Sequence, residues 1–242
     1  MRIPRIYYPH PIPLEREFQL TAEAGHHIAT VLRLKANRPV VLFNGDGNEY
    51  SGQIISVQRK NVIVEADACL SLSKESPLPI HLGQGVSKGD RMDTVLQKSV
   101  ELGVTQITPL ITERCAVKLD ADRWEKKHQQ WQKIIIGACE QSGRNTLPIL
   151  NAPTTLSHWL AESTSSTRLV LAPKAEQPLA RQPYNNQGFR LLIGPEGGLS
   201  ESEIHQSNEK GFTSVSLGPR ILRTETAAIS SISILQAQHG DF

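Results

Sequence analysis

Hydrophobic and polar positions along this chain follow one pattern in the first third and another in the rest. Residues 1–20 carry proline at positions 4, 9, 11 and 13, which predicts an extended path. Thr21 to Leu34 reads as a short helix, with Thr21 as N-cap and Ile28, Val31 and Leu32 sharing an apolar face. From Pro39 to Cys69 the period drops to two. Val40–Phe43 runs into the turn cluster Asn44-Gly45-Asp46-Gly47, and Tyr50–Val57 and Asn61–Ala68 alternate as hairpin partners across Gln58-Arg59-Lys60. Several short strands with one helix predict a small β-barrel over residues 1–70.

Residues 71–79 have the serine- and proline-rich composition of a linker. Beyond them, over residues 80–242, strands and helices alternate. Strands are predicted at Ile80–Val86, Gln106–Ile111, Pro148–Leu150, Arg168–Ala172, Phe189–Ile193 and 214–218. Helices are predicted at Asp90–Leu102 with Gly103 as its stop, at Ala121–Ser142, at Leu156–Glu162, and at the C-terminus to about Gln238. In Ala121–Ser142 the stripe Trp124, Trp131, Ile135 and Ala138 reads as core. Such alternation predicts an α/β fold with a mainly parallel sheet.

Two stretches carry the candidate chemistry. Phe189–Ile193 stops at Gly194-Pro195, Gly197-Gly198 leave the backbone bare, and Ser200 with Glu203 makes a capping box. Strand, bare loop, helix is where an open α/β sheet binds ligands. The loop lacks phosphate-binding spacing, and Glu196 within it argues against a polyphosphate. By spacing alone a structural turn and a ligand loop are equally supported. The second stretch, Ser214 to Gly218 followed by Pro219–Ala228, shifts the balance, because two glycine-ended strands leading into helices can bracket one pocket. The final helix, with Ala227-Ala228-Ile229-Ser230-Ser231, is thin enough for a backbone or flat ligand to approach.

Composition narrows the class. Apolar residues make up 38% and charged residues 21% of 242 positions, as in a globular protein with a real core. No apolar run approaches the roughly 20 residues of a membrane span, and the N-terminus has no apolar h-region. No membrane association is expected. The three cysteines, 69, 115 and 139, form no C-x-x-C pair, and the eight histidines show no ligand spacing, so no metal site is expected and a reducing cytoplasmic setting is. Net charge is +2, but residues 1–40 hold six basic side chains against three acids. That local excess fits an anionic partner such as nucleic acid, or a solvated face.

With both loops laid out, the chain resembles the SPOUT class of RNA methyltransferases. The resemblance spans essentially the whole chain. It is carried by Lys-Gly-Asp-Arg-Met-Asp at 88–93, Gln97–Gly103, Thr112-Glu113-Arg114, Glu140–Arg144, Ile193–Gly198, and Leu217-Gly218 through Ala228. Within the class it is similar to the branch that methylates N3 of a uridine in 16S ribosomal RNA on the small subunit. The resemblance implies a deep trefoil knot in the C-terminal sheet, a PUA-like N-terminal barrel, a homodimer with the active site completed across the interface, and S-adenosylmethionine as cofactor. It places the cofactor against Leu171, Ala172, Gly194, Pro195, Glu196, Gly197, Gly198, Leu217, Gly218, Ile221, Leu222, Thr224 and Ala227. The chemistry of an acidic, weakly nucleophilic uracil N3 makes Arg223 the candidate partner of a uracil oxygen or phosphate, and Glu225 or Glu196 the candidate proton acceptor. Arg2, Arg5, Arg33, Lys35, Lys88, Arg114 and Arg144 are the candidate RNA contacts. Two alternatives stay open: a ribose 2′-O methyltransferase of the same class, and a non-catalytic RNA-binding assembly factor.

Overall fold

The computed structural model describes residues 3–59 and 61–242, so Arg2 lies outside the described residues. The chain forms two compact units. One comprises residues 1–75 with 139–147, and the other 76–138 with 148–242. A division by chain order leaves 139–147 with the second unit.

The first unit holds β1 (Arg5–Tyr7), β2 (Glu17–Gln19), α1 (Ala22–His26), β3 (Pro39–Phe43), β4 (Glu49–Gln58) and β5 (Asn61–Leu70). The five strands form one sheet in the order β1-β3-β4-β5-β2, antiparallel except for the parallel β1–β3 pair. Alternation along β4 and β5 sends Ile54, Val62, Val64 and Ala66 into a core shared with Ile6, Leu42 and Ile28. Thr21 caps α1, its Oγ1 accepting from Ala24 N at 3.3 Å. The predicted helix to Leu34 ends differently, because the chain widens into a π-helical turn at His27–Val31. A π turn takes in one residue more than an α turn. Ile28 is therefore fully buried while Val31 and Leu32 are 60% and 38% exposed, instead of sharing one apolar face with it.

Residues 139–147 complete this unit through polar contacts. Tyr7 N donates to Glu140 Oε1 at 3.0 Å, Arg144 is ion-paired with Glu75, and Asn145 bonds both the Arg5 guanidinium and Leu72 O.

The second unit contains β6 (Ile80–Gly85), α2 (Asp90–Glu101), β7 (Gln106–Ile111), the greater part of α3 (Ala121–Ser142), β8 (Ile149–Leu150), β9 (Thr154–Thr155), α4 (Leu156–Ala161), β10 (Thr167–Leu171), β11 (Phe189–Ile193), α5 (Glu201–Glu209), β12 (Thr213–Val215) and α6 (Thr224–His239). The sheet runs β12-β10-β11-β6-β7-β8, with the unpredicted β9 also on β7, and every pairing in it is parallel. β11 is buried at all five positions, which is why its sequence is a continuous apolar run. Arg190, the exception, is held by Glu162 and lies over the Trp159 ring at 4.1 Å. Trp131, Ile135 and Ala138 of the α3 stripe are buried, and α2 packs along α6. Among the described residues, no helix is long and apolar enough to cross a membrane.

Candidate active site

β10, β11 and β12 end side by side, and the three segments that leave them enclose a cavity of about 510 Å³. Leu171–Lys174 follows β10, Ile193–Leu199 follows β11, and Leu217, Gly218 and Arg220–Leu222 lead to α6, from which Thr224 and Ala227 close the wall. Every residue that the resemblance assigns to the cofactor lies in this wall, brought together from three separate stretches of sequence. Arg114, Lys174, Arg220 and Ile204 also line it and were not read as cofactor contacts.

The local sequence explains the shape of the loop. Pro195 to Gly198 make a tight turn closed by Gly198 N donating to Pro195 O at 2.8 Å, and Gly198 takes a φ of +67°. Ser200 and Glu203 then form the predicted capping box, and Glu203 Oε1 also accepts from Glu113 N at 2.8 Å. On the side facing β6, Gly85 is needed because a Cβ there would sit 2.4 Å from Pro195 N.

Glu196 is tied down. Its Oε1 accepts from Lys88 N at 2.8 Å and from Arg91 Nη1 at 2.9 Å. Burial alone would push its carboxyl up, but hydrogen bonds from the main-chain N–H groups of Glu196 and Lys88 and from Arg91 and Ser87 together hold it below the usual glutamate value. An ionised carboxylate so occupied is a poor proton acceptor and a good strut between the loop and the start of α2.

Arg223 and Glu225 do not line the cavity but alternate with Leu222 and Thr224, which do. Arg223 is exposed at the N-cap position of α6. Glu225 lies in the first turn, where the helix dipole favours its charge, and its Oε2 is buried without a hydrogen-bond partner among the described residues.

The basic residues divide. Arg33 and Lys35 are exposed on the first unit, and Lys88 and Arg114 are exposed on the second. Arg114 Nη1 donates to Gly197 O and Leu199 O at 3.1 and 3.3 Å, so it braces the loop. Arg5 and Arg144 have other work. The Arg5 side chain is 7% exposed and paired with Glu49 at 2.6 Å, and Arg144 is buried against Glu75. Contact with RNA would require breaking those pairs, so the RNA-contact reading of these two is withdrawn. Among the described residues no cluster of histidine, cysteine or carboxylate side chains could hold a metal ion.

Comparison with known proteins gives a consistent result. The RNA methyltransferase domain family matches residues 74–236, and the RNA methyltransferase PUA domain family matches residues 20–67. Ribosomal RNA small subunit methyltransferase E of Buchnera aphidicola subsp. Schizaphis graminum is 37% identical over 241 residues, covering 99% of this chain and 98% of the relative. A methyltransferase of Legionella pneumophila, solved with its bound cofactor SAM, superposes with a TM-score of 0.94 at 46% identity over the whole of both chains. Ribosomal RNA small subunit methyltransferase E of Neisseria gonorrhoeae, solved bound to S-adenosyl methionine, gives 0.93 at 38% identity, again over both full chains.

Proposed function

The chain belongs to the RNA methyltransferase family that pairs a PUA domain with a methyltransferase domain, and from that membership we propose that it transfers a methyl group from S-adenosylmethionine to N3 of a uridine in 16S ribosomal RNA, in the cytoplasm, on the small subunit. The observation that carries this reading is the cavity at the strand ends. Its walls include apolar side chains (Leu171, Ile193, Leu217, Leu222) and the glycine-rich main chain from Gly194 to Gly198, with the charged side chains Arg114, Lys174, Arg220, Glu196 and Glu201 also lining it. A flat, neutral adenine asks for such walls, and a cavity of this size suits a cofactor of that class. These are also the segments that the class shapes with its knot.

The cofactor, when bound, supplies an electrophilic methyl on a sulfonium, and the remaining chemistry falls to this chain. Uracil N3 attacks only after losing its proton. Glu225, whose Oε2 makes no hydrogen bond among the described residues, is our proposed acceptor of that proton, in preference to the occupied Glu196. Arg223, exposed two residues before it, is proposed to face a uracil oxygen, where its guanidinium offsets the charge left on the ring. Arg33, Lys35 and Lys88 are proposed to grip the RNA backbone. We read the working form as a homodimer: Ile221, 87% exposed at the cavity rim, is an apolar side chain left for a second copy to cover.

The test is transfer of labelled methyl to small subunits that lack the modification. Label confined to 16S RNA and recovered as 3-methyluridine supports the proposal. Label recovered on a ribose, or clear cofactor binding with no transfer to any RNA, refutes it.

A further inference from the structure

We infer that Gln84 is a positioning residue for methyl transfer: its carboxamide fastens the cofactor loop after β11 to the first residue of α6. The inference rests on the reading of the cavity as the cofactor site.

Gln84 is the penultimate residue of β6 and is completely buried. Buried glutamine is uncommon, and this one is anchored through its nitrogen, since Oε1 has no hydrogen-bond partner among the described residues. Its Nε2 lies 2.9 Å from Thr224 Oγ1, 3.3 Å from Gly194 O and 3.0 Å from Gly85 O. Thr224 Oγ1 in turn donates to Gly194 O at 2.7 Å. The direction of the chain is therefore fixed. The Gln84 amide donates to a hydroxyl that donates to a carbonyl, and hydrogen bonds in such a series polarise one another. Three acceptors around Nε2 also settle which end of the amide is nitrogen.

What the chain joins matters more than its strength. Gly194 opens the loop that forms part of the cavity wall, and Thr224, also in the wall, begins α6. Between them Gln84 reaches across from the adjacent strand without itself lining the cavity. Thr224 is flanked by Arg223 and Glu225, so the bond that anchors Thr224 also sets where those two side chains start. Among the described residues no other side chain hydrogen-bonds both Gly194 and Thr224.

The experiment uses the full chain and S-adenosylmethionine. Gln84→Met keeps the volume and removes the donors, Thr224→Val removes the hydroxyl at constant shape, and Thr224→Ser restores it. Cofactor affinity is read by calorimetry, transfer by labelled methyl, and stability by thermal denaturation. The expected result is about a tenfold loss of affinity in Gln84→Met and in Thr224→Val, no further loss in the double variant, and near wild-type binding in Thr224→Ser. Affinity within twofold of wild type in Gln84→Met overturns the inference, as does a lowered melting temperature with unchanged affinity, or a double variant that loses the product of the two single effects. If Gln84→Met does not fold, equal affinities for Thr224→Val and Thr224→Ser overturn it. A wild-type chain that binds no S-adenosylmethionine refutes the cofactor reading instead, and is distinguished by needing no variant at all.

Discussion

Placing a single methyl group at position 85 tests whether the cavity loop is held by shape. Gly85 ends β6, and a Cβ built there would lie 2.4 Å from Pro195 N, 2.5 Å from Pro195 Cδ and 2.8 Å from Gly194 C. The first of these is about 1 Å short of ordinary van der Waals contact. Two of the three atoms are main chain, so no side-chain rotation relieves the overlap, and the loop itself must move by roughly that 1 Å. Overpacking of this kind costs about 1–3 kcal/mol of stability. A 1 Å shift of a cofactor-holding loop costs up to about 100-fold in rate. Gly83, two residues earlier on the same face of the strand, provides the control. Its added Cβ would lie 2.6 Å from Trp159 Cη2 and Cζ2, in the hydrophobic core and not at the cavity. Urea denaturation and calorimetric titration with S-adenosylmethionine should then separate the two. Gly83→Ala is expected to lose stability and keep cofactor affinity, and Gly85→Ala to lose both, with affinity down at least tenfold. The reasoning is refuted if Gly85→Ala binds cofactor as the wild type does, or if Gly83→Ala weakens binding equally.

Three further outcomes follow from the same structure. Burial first, and the neighbouring Arg190 charge second, push the His81 imidazole down from 6.5 to about 3. The unfolded chain then takes up a proton that the folded chain refuses, so stability is complete above about pH 6.5 and falls as pH drops towards 3; His81→Gln should flatten that slope in denaturation midpoints. Arg144→Met leaves Glu75 partly buried and unpaired and should destabilise by about 3 kcal/mol, while RNA affinity per folded molecule stays unchanged in a filter-binding assay. Arg33→Ala and Lys35→Ala should each reduce the slope of log affinity against log salt by about 1, and an unchanged slope would remove them from the RNA surface.

The parts of this fold that were legible are those decided by neighbours in sequence. Phe189–Ile193, the Gly194-Pro195 break and the Ser200–Glu203 box announce strand, turn and helix within fifteen residues, and each is present. Two of the three stretches of the cavity wall followed from their own glycine signals, whereas Leu171 and Ala172 came only from the resemblance. What escaped depends on partners far along the chain. Gln84 sits inside an apolar strand pattern, and nothing local marks its bond to Thr224, 140 residues away. Arg5 and Arg144 look like free surface cations until Glu49 and Glu75 are placed beside them. The two-residue β9 is too short for any period to show, and exists because β7 offers it a free edge. The π turn at His27–Val31 keeps a helical composition while changing which side chains face inward.

The split make-up of the first unit bears on the order in which the chain can fold as it is synthesised. Residues 1–75 leave the ribosome first, but the bonds of Tyr7 N, Leu72 O, the Glu75 carboxylate and the second guanidinium nitrogen of Arg5 are made to residues in 139–147. Between the two segments comes β6, with α2, β7 and most of α3, the opening part of the other unit. Nascent chains fold domain by domain from the N-terminus where the domains are continuous. Here the nine residues that complete the N-terminal unit, and with them the Arg144–Glu75 pair, arrive only when more than half of the chain has emerged, although the apolar core of that unit lies within residues 6–66.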